Sequence, residues 1–149
     1  MINEPKQLLE YLRSILGTPY KLNGRSYAEG VDCFSCTKLI QFDCFDRITP
    51  DLQIDEDTPR GYTRAVLKGK DLFQWDQVES PVHGCIVELS HGNTPHHIGT
   101  YFDIPEYKIR GLVHSLKGSG IVYDPLMTLN AAGWKRFIYN VPRPNDSAN

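Results

Sequence analysis

With 149 residues, 40% hydrophobic and 23% charged, the chain has the size and composition of one globular domain with its own core. Its net charge of -2 argues against a basic face for nucleic acid or an anionic membrane surface. No apolar run approaches the roughly 18 residues that cross a bilayer, and the first residues lack the basic and apolar segments of a secretory signal. The chain is therefore expected to be made in the cytoplasm with Cys33, Cys36, Cys44 and Cys85 reduced. In that setting cysteines serve metal binding or catalysis more often than structural bridges.

Taken in order, Leu8, Leu9, Leu12, Ile15 and Leu16 follow helical spacing, and Gly17 stands where a C-terminal cap belongs. From Gly17 to Gly30, three glycines and a proline predict a loop. Gly30-Val31-Asp32-Cys33-Phe34-Ser35-Cys36 then reads as a loop turning into a helix, with Asp32 as N-cap and Cys33 at the first helical position. A thiol there feels the positive end of the helix dipole, which predicts a lowered pKa and a thiolate at neutral pH. Cys33, Cys36, Ile40 and Cys44 fall on one stripe, so Cys36 and Cys44 read as small buried hydrophobes, with only the first turn open to solvent.

Residues 46–62 hold two prolines, a glycine and five acidic residues and predict a solvated connection, with a short helix around 63–67. Beyond that the pattern changes to strands at 73–78, 85–89, 98–102, 109–114, 121–123 and 137–141, broken by Gly, Pro and Asn at hairpin distances. Helices first and strands afterwards predict an α+β fold with an antiparallel sheet, one domain over residues 1–141 and a flexible tail over 142–149.

All five histidines lie between residues 83 and 114. His97 opens one predicted strand and His114 closes the next, so a hairpin would make them cross-strand neighbours. That suggests a nucleophilic assembly: Cys33 attacks a carbonyl, His97 moves the proton, and His114 fixes the His97 tautomer. The helix-start N–H groups, beginning with that of Cys33, would face the oxyanion. Of the adjacent pair His96 and His97, the strand alternation favours His97.

The local motifs extend this reading. Gly17-Thr18-Pro19-Tyr20, Gly30-Val31-Asp32-Cys33, Gly84-Cys85-Ile86-Val87, His97-Ile98-Gly99-Thr100-Tyr101 and Val113-His114-Ser115 occur in that order. Together they resemble the NlpC-type cell-wall peptidase family, which are compact papain-like cysteine peptidases. The resemblance implies N-terminal helices packed on a mostly antiparallel sheet of about five to six strands, with the nucleophile at a helix N-terminus. It places the nucleophile on Cys33, the base on His97 and the orienting group on His114, with Tyr20 and Asp32 toward substrate or oxyanion. It also implies hydrolysis of amide bonds in peptidoglycan stem peptides, of the D-glutamate–diaminopimelate type, with no cofactor and no metal.

Phe34-Ser35 after the cysteine, and Cys85 where the family usually carries Asp, depart from the pattern and put substrate preference in question. Three alternatives stay open: a Cys/His zinc module, a thioredoxin-type dithiol at Cys33 and Cys36, and a catalytically idle domain of a phage tail or secretion machine. If it cuts the wall, a domain without an export signal is expected to be carried there, with a phage tail tip as the favoured carrier.

Overall fold

The computed structural model describes residues 1–72 and 74–143. Helix α1 (Pro5–Ile15) begins with Pro5, whose fixed φ suits the first helical turn. It buries Leu8, Leu12 and Ile15. The glycine-rich loop contains a small hairpin that the sequence did not predict, β1 (Arg25–Ser26) with β2 (Gly30–Val31). This hairpin sets the chain into helix α2 (Cys33–Phe45).

Asp32 caps α2 through a reciprocal capping box. Its Oδ1 accepts from the N–H groups of Phe34 and Ser35, at 2.9 Å each, while Ser35 Oγ accepts from the Asp32 N–H at 3.0 Å. The helix is buried on nearly every side. Cys36, Ile40 and Cys44 have no exposure, but Phe34, Ser35, Thr37 and Gln41 are also buried. The expected open first turn is thus closed, and solvent instead reaches the C-terminal half at Phe42 and Asp43. The helix is a central strut rather than an amphipathic cover.

Helix α3 (Pro59–Leu72) is 14 residues long, far beyond the short segment predicted. Its acidic approach supplies its own support: Arg64 pairs with Asp55 at 3.0 Å and Glu56 at 2.9 Å, and Thr58 Oγ1 accepts from the Gly61 N–H. The charges that read as a solvated connection are therefore used locally to start a helix.

The sheet contains β3 (Trp75–Val78), β4 (Ile86–Ser90), β5 (His97–Ile104), β6 (Ile109–Leu116), β7 (Gly120–Asp124) and β8 (Arg136–Pro142). All neighbours are antiparallel, in the order β3-β8-β4-β5-β6-β7. Each predicted strand has its counterpart, though Phe73, the predicted start of the first, lies outside the described residues. β8 includes Pro142, and Arg143 bonds Asp76 across the sheet edge, so the sheet extends into the predicted tail. The remaining tail, 144–149, lies outside the described residues.

Alternation along the strands divides the core in two. On one face, Phe102, Ile104, Val113 and Ile121 pack against α1 and α2, while Ile86 and Ile98 pack against Phe34 of α2 and Ala65 and Val66 of α3. On the other, Val87, Leu89, Tyr101 and Leu112 are covered by Leu129 of the short helix α4 (Leu126–Ala131) and by Trp134. Among the described residues the sheet is all antiparallel, with no βαβ unit, which excludes the thioredoxin alternative.

Cys36 is enclosed among apolar neighbours. Cys36→Ala should cost on the order of 1 kcal/mol in urea unfolding, with an unchanged slope and circular dichroism spectrum. A loss several times larger would mean the thiol is held by more than packing.

Candidate active site

A cavity of about 240 Å³ opens where the start of α2 meets the start of β5. Tyr20 and Cys33 form one wall, and His97 and Trp134 another. The lip comes from Asp57 and Tyr62 at the start of α3 and from Lys117 after β6.

Cys33 reaches this cavity because the β5–β6 ladder stops short. Its first pair is Thr100↔Val113, so the two strands part above it. Tyr101 N–H bonds Cys85 O toward β4, and by alternation the N–H groups of Thr100 and Ile98 point the other way. That of Ile98 finds no β6 partner and donates to Cys33 Sγ. The start of α2 is therefore wedged into the open end of the hairpin, with the sulfur one residue from His97.

His97 and His114 are joined, Nε2 to Nδ1, at 2.7 Å. They are not directly opposite, as a simple hairpin would place them. His114 follows Val113, the partner of Thr100, and so lies beside Gly99, making His97 its diagonal neighbour. A diagonal pair is about 7–8 Å apart at Cα, so the rings must lean together. Gly99 gives the room: a Cβ there would stand 2.8 Å from both His114 Cβ and Leu112 Cγ. The far side of His114 is held as well, with Nε2 2.9 Å from Asp124 Oδ2.

Burial decides the charge state of this cluster. Cys33 and His114 have no exposure, and His97 is 6% exposed. Burial, with the neighbouring Asp32 carboxylate, pushes the Cys33 thiol well up, and the N–H groups of Ile98 and of Cys33 itself offset this in part. Burial also holds His97 well below the usual imidazole range, reinforced by His114, His96 and His91. The resting pair is a neutral thiol and a neutral imidazole, which corrects the expected thiolate: desolvation outweighs the helix terminus.

Asp32 takes a different place from the one the resemblance implied. Its carboxylate is fully buried and does not line the cavity; Oδ1 caps the helix and Oδ2 accepts from the Asn23 N–H at 2.8 Å. Of the first-turn amides, those of Phe34 and Ser35 are consumed by this cap. The Cys33 N–H, lying against its own Sγ, remains as the helix-start donor facing the cavity. Tyr20 does line the cavity, and its hydroxyl bonds that of Tyr62, which also bonds Asp57 at 3.1 Å. Asp57 in turn pairs with Lys117 at 2.6 Å across the lip.

Tyr62, Trp134 and Asp124 are absent from the sequence-derived site. Trp134 stacks on His97 at 5.2 Å between centroids and on His91 at 3.9 Å, fixing one face of the His97 ring. Only Asp124 had a usable signal. Pairing β6 with β7 about the turn at Gly118 sets Leu112 opposite Asp124, and therefore Asp124 diagonal to His114. Among the described residues, no group of three or more His, Cys, Asp or Glu side chains could hold a metal ion. Cys36 and Cys44 run down into the core, away from the histidines.

No protein-family model matches the chain, and no curated protein matches it. Among solved structures, the NlpC/p60 domain of the peptidoglycan hydrolase SagA aligns over 93% of this chain and all of that domain, with a TM-score of 0.58 at 11% identity. A Staphylococcus aureus protein of the NLP/P60 family, described as similar to a lipoprotein, aligns over 97% of this chain with a TM-score of 0.59 at 15% identity. This chain spans 43% of that protein's length. The chain has the fold of NlpC/p60 domains.

Stability should carry the mark of the buried groups. His97 and His114 have depressed pKa values, so below about pH 6.5 the unfolded chain binds more protons and stability falls as pH falls. The thiols of Cys33 and Cys36 are raised, so above about pH 8.5 the unfolded chain loses protons first and stability falls as pH rises. The melting temperature should plateau between these limits, and His97→Gln should flatten the acid side. An acid limb unchanged by His97→Gln would contradict a buried neutral imidazole.

Proposed function

We propose that the protein is a cysteine peptidase that hydrolyses amide bonds in bacterial peptidoglycan stem peptides, between D-glutamate and diaminopimelate. The observation that carries this reading is the convergence of Cys33 and His97 on one cavity, with the His97 ring held from behind by His114. The likeness of fold to the domain of a peptidoglycan hydrolase supports the substrate class.

In this reading, the Cys33 proton passes to His97 Nδ1, the ring nitrogen not bonded to His114. The sulfur attacks the peptide carbonyl carbon, and the developing oxyanion meets the Cys33 N–H, while the Tyr20 hydroxyl, whose proton goes to Tyr62, shapes the wall beside it. The C–N bond then breaks as His97 gives its proton to the leaving amine. A water attacks the thioester, passing one proton to His97, and the acid leaves as that proton returns to sulfur. The neutral resting pair suits this course, because charge separates only once substrate has entered.

Cys33→Ala should abolish the release of peptide fragments from purified peptidoglycan, read by mass spectrometry, while the protein stays folded. His97→Ala should be nearly as damaging, and His114→Ala should leave residual turnover. Chelators should have no effect and thiol alkylation should inactivate. Wild-type turnover in Cys33→Ala would end the peptidase reading, and loss of activity in a chelator would favour a metal module.

The substrate lies outside the cytoplasmic membrane, so the reading includes delivery to the wall, with a phage tail tip as the carrier. Expressed in the cytoplasm of a Gram-negative host, the chain should be harmless; fused to a periplasmic signal it should lyse the cells, and the Cys33→Ala fusion should not. An inert periplasmic fusion, or lysis by the unfused protein added from outside, would count against delivery.

A further inference from the structure

We propose that Asp124 is a positioning residue of the site: acting through His114, it selects the His97 tautomer whose bare nitrogen receives the Cys33 proton. The argument begins with hydrogen-bond capacity. A carboxylate only accepts, so the 2.9 Å contact between Asp124 Oδ2 and His114 Nε2 requires the proton to sit on Nε2. A neutral His114 then has a bare Nδ1, which can only accept. The 2.7 Å contact to His97 must accordingly be donated by His97 Nε2. That leaves His97 Nδ1 without a proton, on the side of the ring free to meet the thiol.

His114 alone cannot make this choice. A neutral imidazole without Asp124 can present either nitrogen as donor, and the opposite arrangement would put the His97 proton on Nδ1 and block transfer from sulfur. Asp124 breaks the tie with a fixed charge. It is well placed to do so, because its side chain is 26% exposed and stays hydrated, while the His114 side chain it holds has no exposure. The same carboxylate favours the imidazolium that forms on His97 after transfer, relayed through the two hydrogen bonds. The other groups around the proton path do not supply this bias. His91 and His96 near His97 oppose its charge, Asp32 opposes the thiolate, and Cys36, Tyr20 and Tyr62 near the sulfur are neutral.

The peptidase reading motivates the proposal, but the test needs no substrate. The rate of Cys33 carboxamidomethylation by iodoacetamide, followed by mass mapping, would be measured against pH in the full chain. Relative to wild type, Asp124→Asn should slow modification at pH 7 by about tenfold and move the rising limb up by about one pH unit. Asp124→Glu, which keeps the charge, should recover most of the rate. In a His114→Gln background, Asp124→Asn should add no further shift. Independently, ¹⁵N spectra of histidine-labelled wild type at pH 8 should show both His97 and His114 protonated at Nε2 and bare at Nδ1.

A superimposable Asp124→Asn profile, an equal shift in the His114→Gln background, or a His97 ring protonated at Nδ1 would overturn the proposal. Should Asp124→Asn fail to fold by circular dichroism, the Glu variant and the wild-type spectra decide it. A shifted profile in a protein that cuts no peptidoglycan would sink the peptidase reading and leave this inference standing. The converse result would do the reverse.

Discussion

One buried carboxylate organises the cleft. Asp32 has no exposure, yet its oxygens are matched by the N–H groups of Phe34 and Ser35 on one side and of Asn23 on the other. A buried charge is tolerable only when it is so enclosed by donors. The bonds continue outward: the Asn23 side chain accepts from the Ile54 N–H and donates to the Ile54 carbonyl, both at 2.9 Å. The start of α2, the loop after Tyr20 and the segment leading to α3 are thereby tied to a single point. These are three of the pieces that border the sulfur, and the carboxylate ties them to one another in addition to their packing on the sheet. Removing the carboxylate would leave several buried amides without partners, at a cost of about 1–3 kcal/mol for each.

The second constraint is the open end of the β5–β6 hairpin. Continued pairing would have consumed the Ile98 N–H and closed the space that the start of α2 occupies. The parting of two strands thus admits the helix, supplies a donor to the sulfur and lets His97 lean toward His114. Gly99 completes the device, since any larger residue would press on the His114 and Leu112 side chains.

Much of this was legible in the chain. The strand half was readable because alternation and turn residues repeat through it, and α2 could be started at Cys33 because Asp32 and Ser35 form a capping pair. Cys33, His97, His114 and Tyr20 could be named from their motifs. What escaped is instructive. Helix α3 was expected only as a short segment because the charges before it read as loop composition, although Asp55 and Glu56 are spent on Arg64. The thiol's ionisation was misjudged because a helix terminus is visible in sequence, whereas the depth of burial is a property of the whole packing. Asp32 was read correctly as the N-cap, but its expected place toward substrate or oxyanion fails because both oxygens are spent on backbone N–H groups. Tyr62 and Trp134 come from segments whose approach to the cavity depends on the path of the entire chain.

The distribution of the site along the chain has a consequence for synthesis. The sulfur is contributed early, from the helical half, and the imidazoles and carboxylate that join it come from strands made much later. As the ribosome releases the first half, Cys33 is an ordinary thiol with no imidazole beside it. The cleft assembles only when the distant strands close over α2, a long-range event that is slow relative to local helix formation. The cleft and the completed fold are thereby formed together, so an unfinished copy has the sulfur without its surroundings.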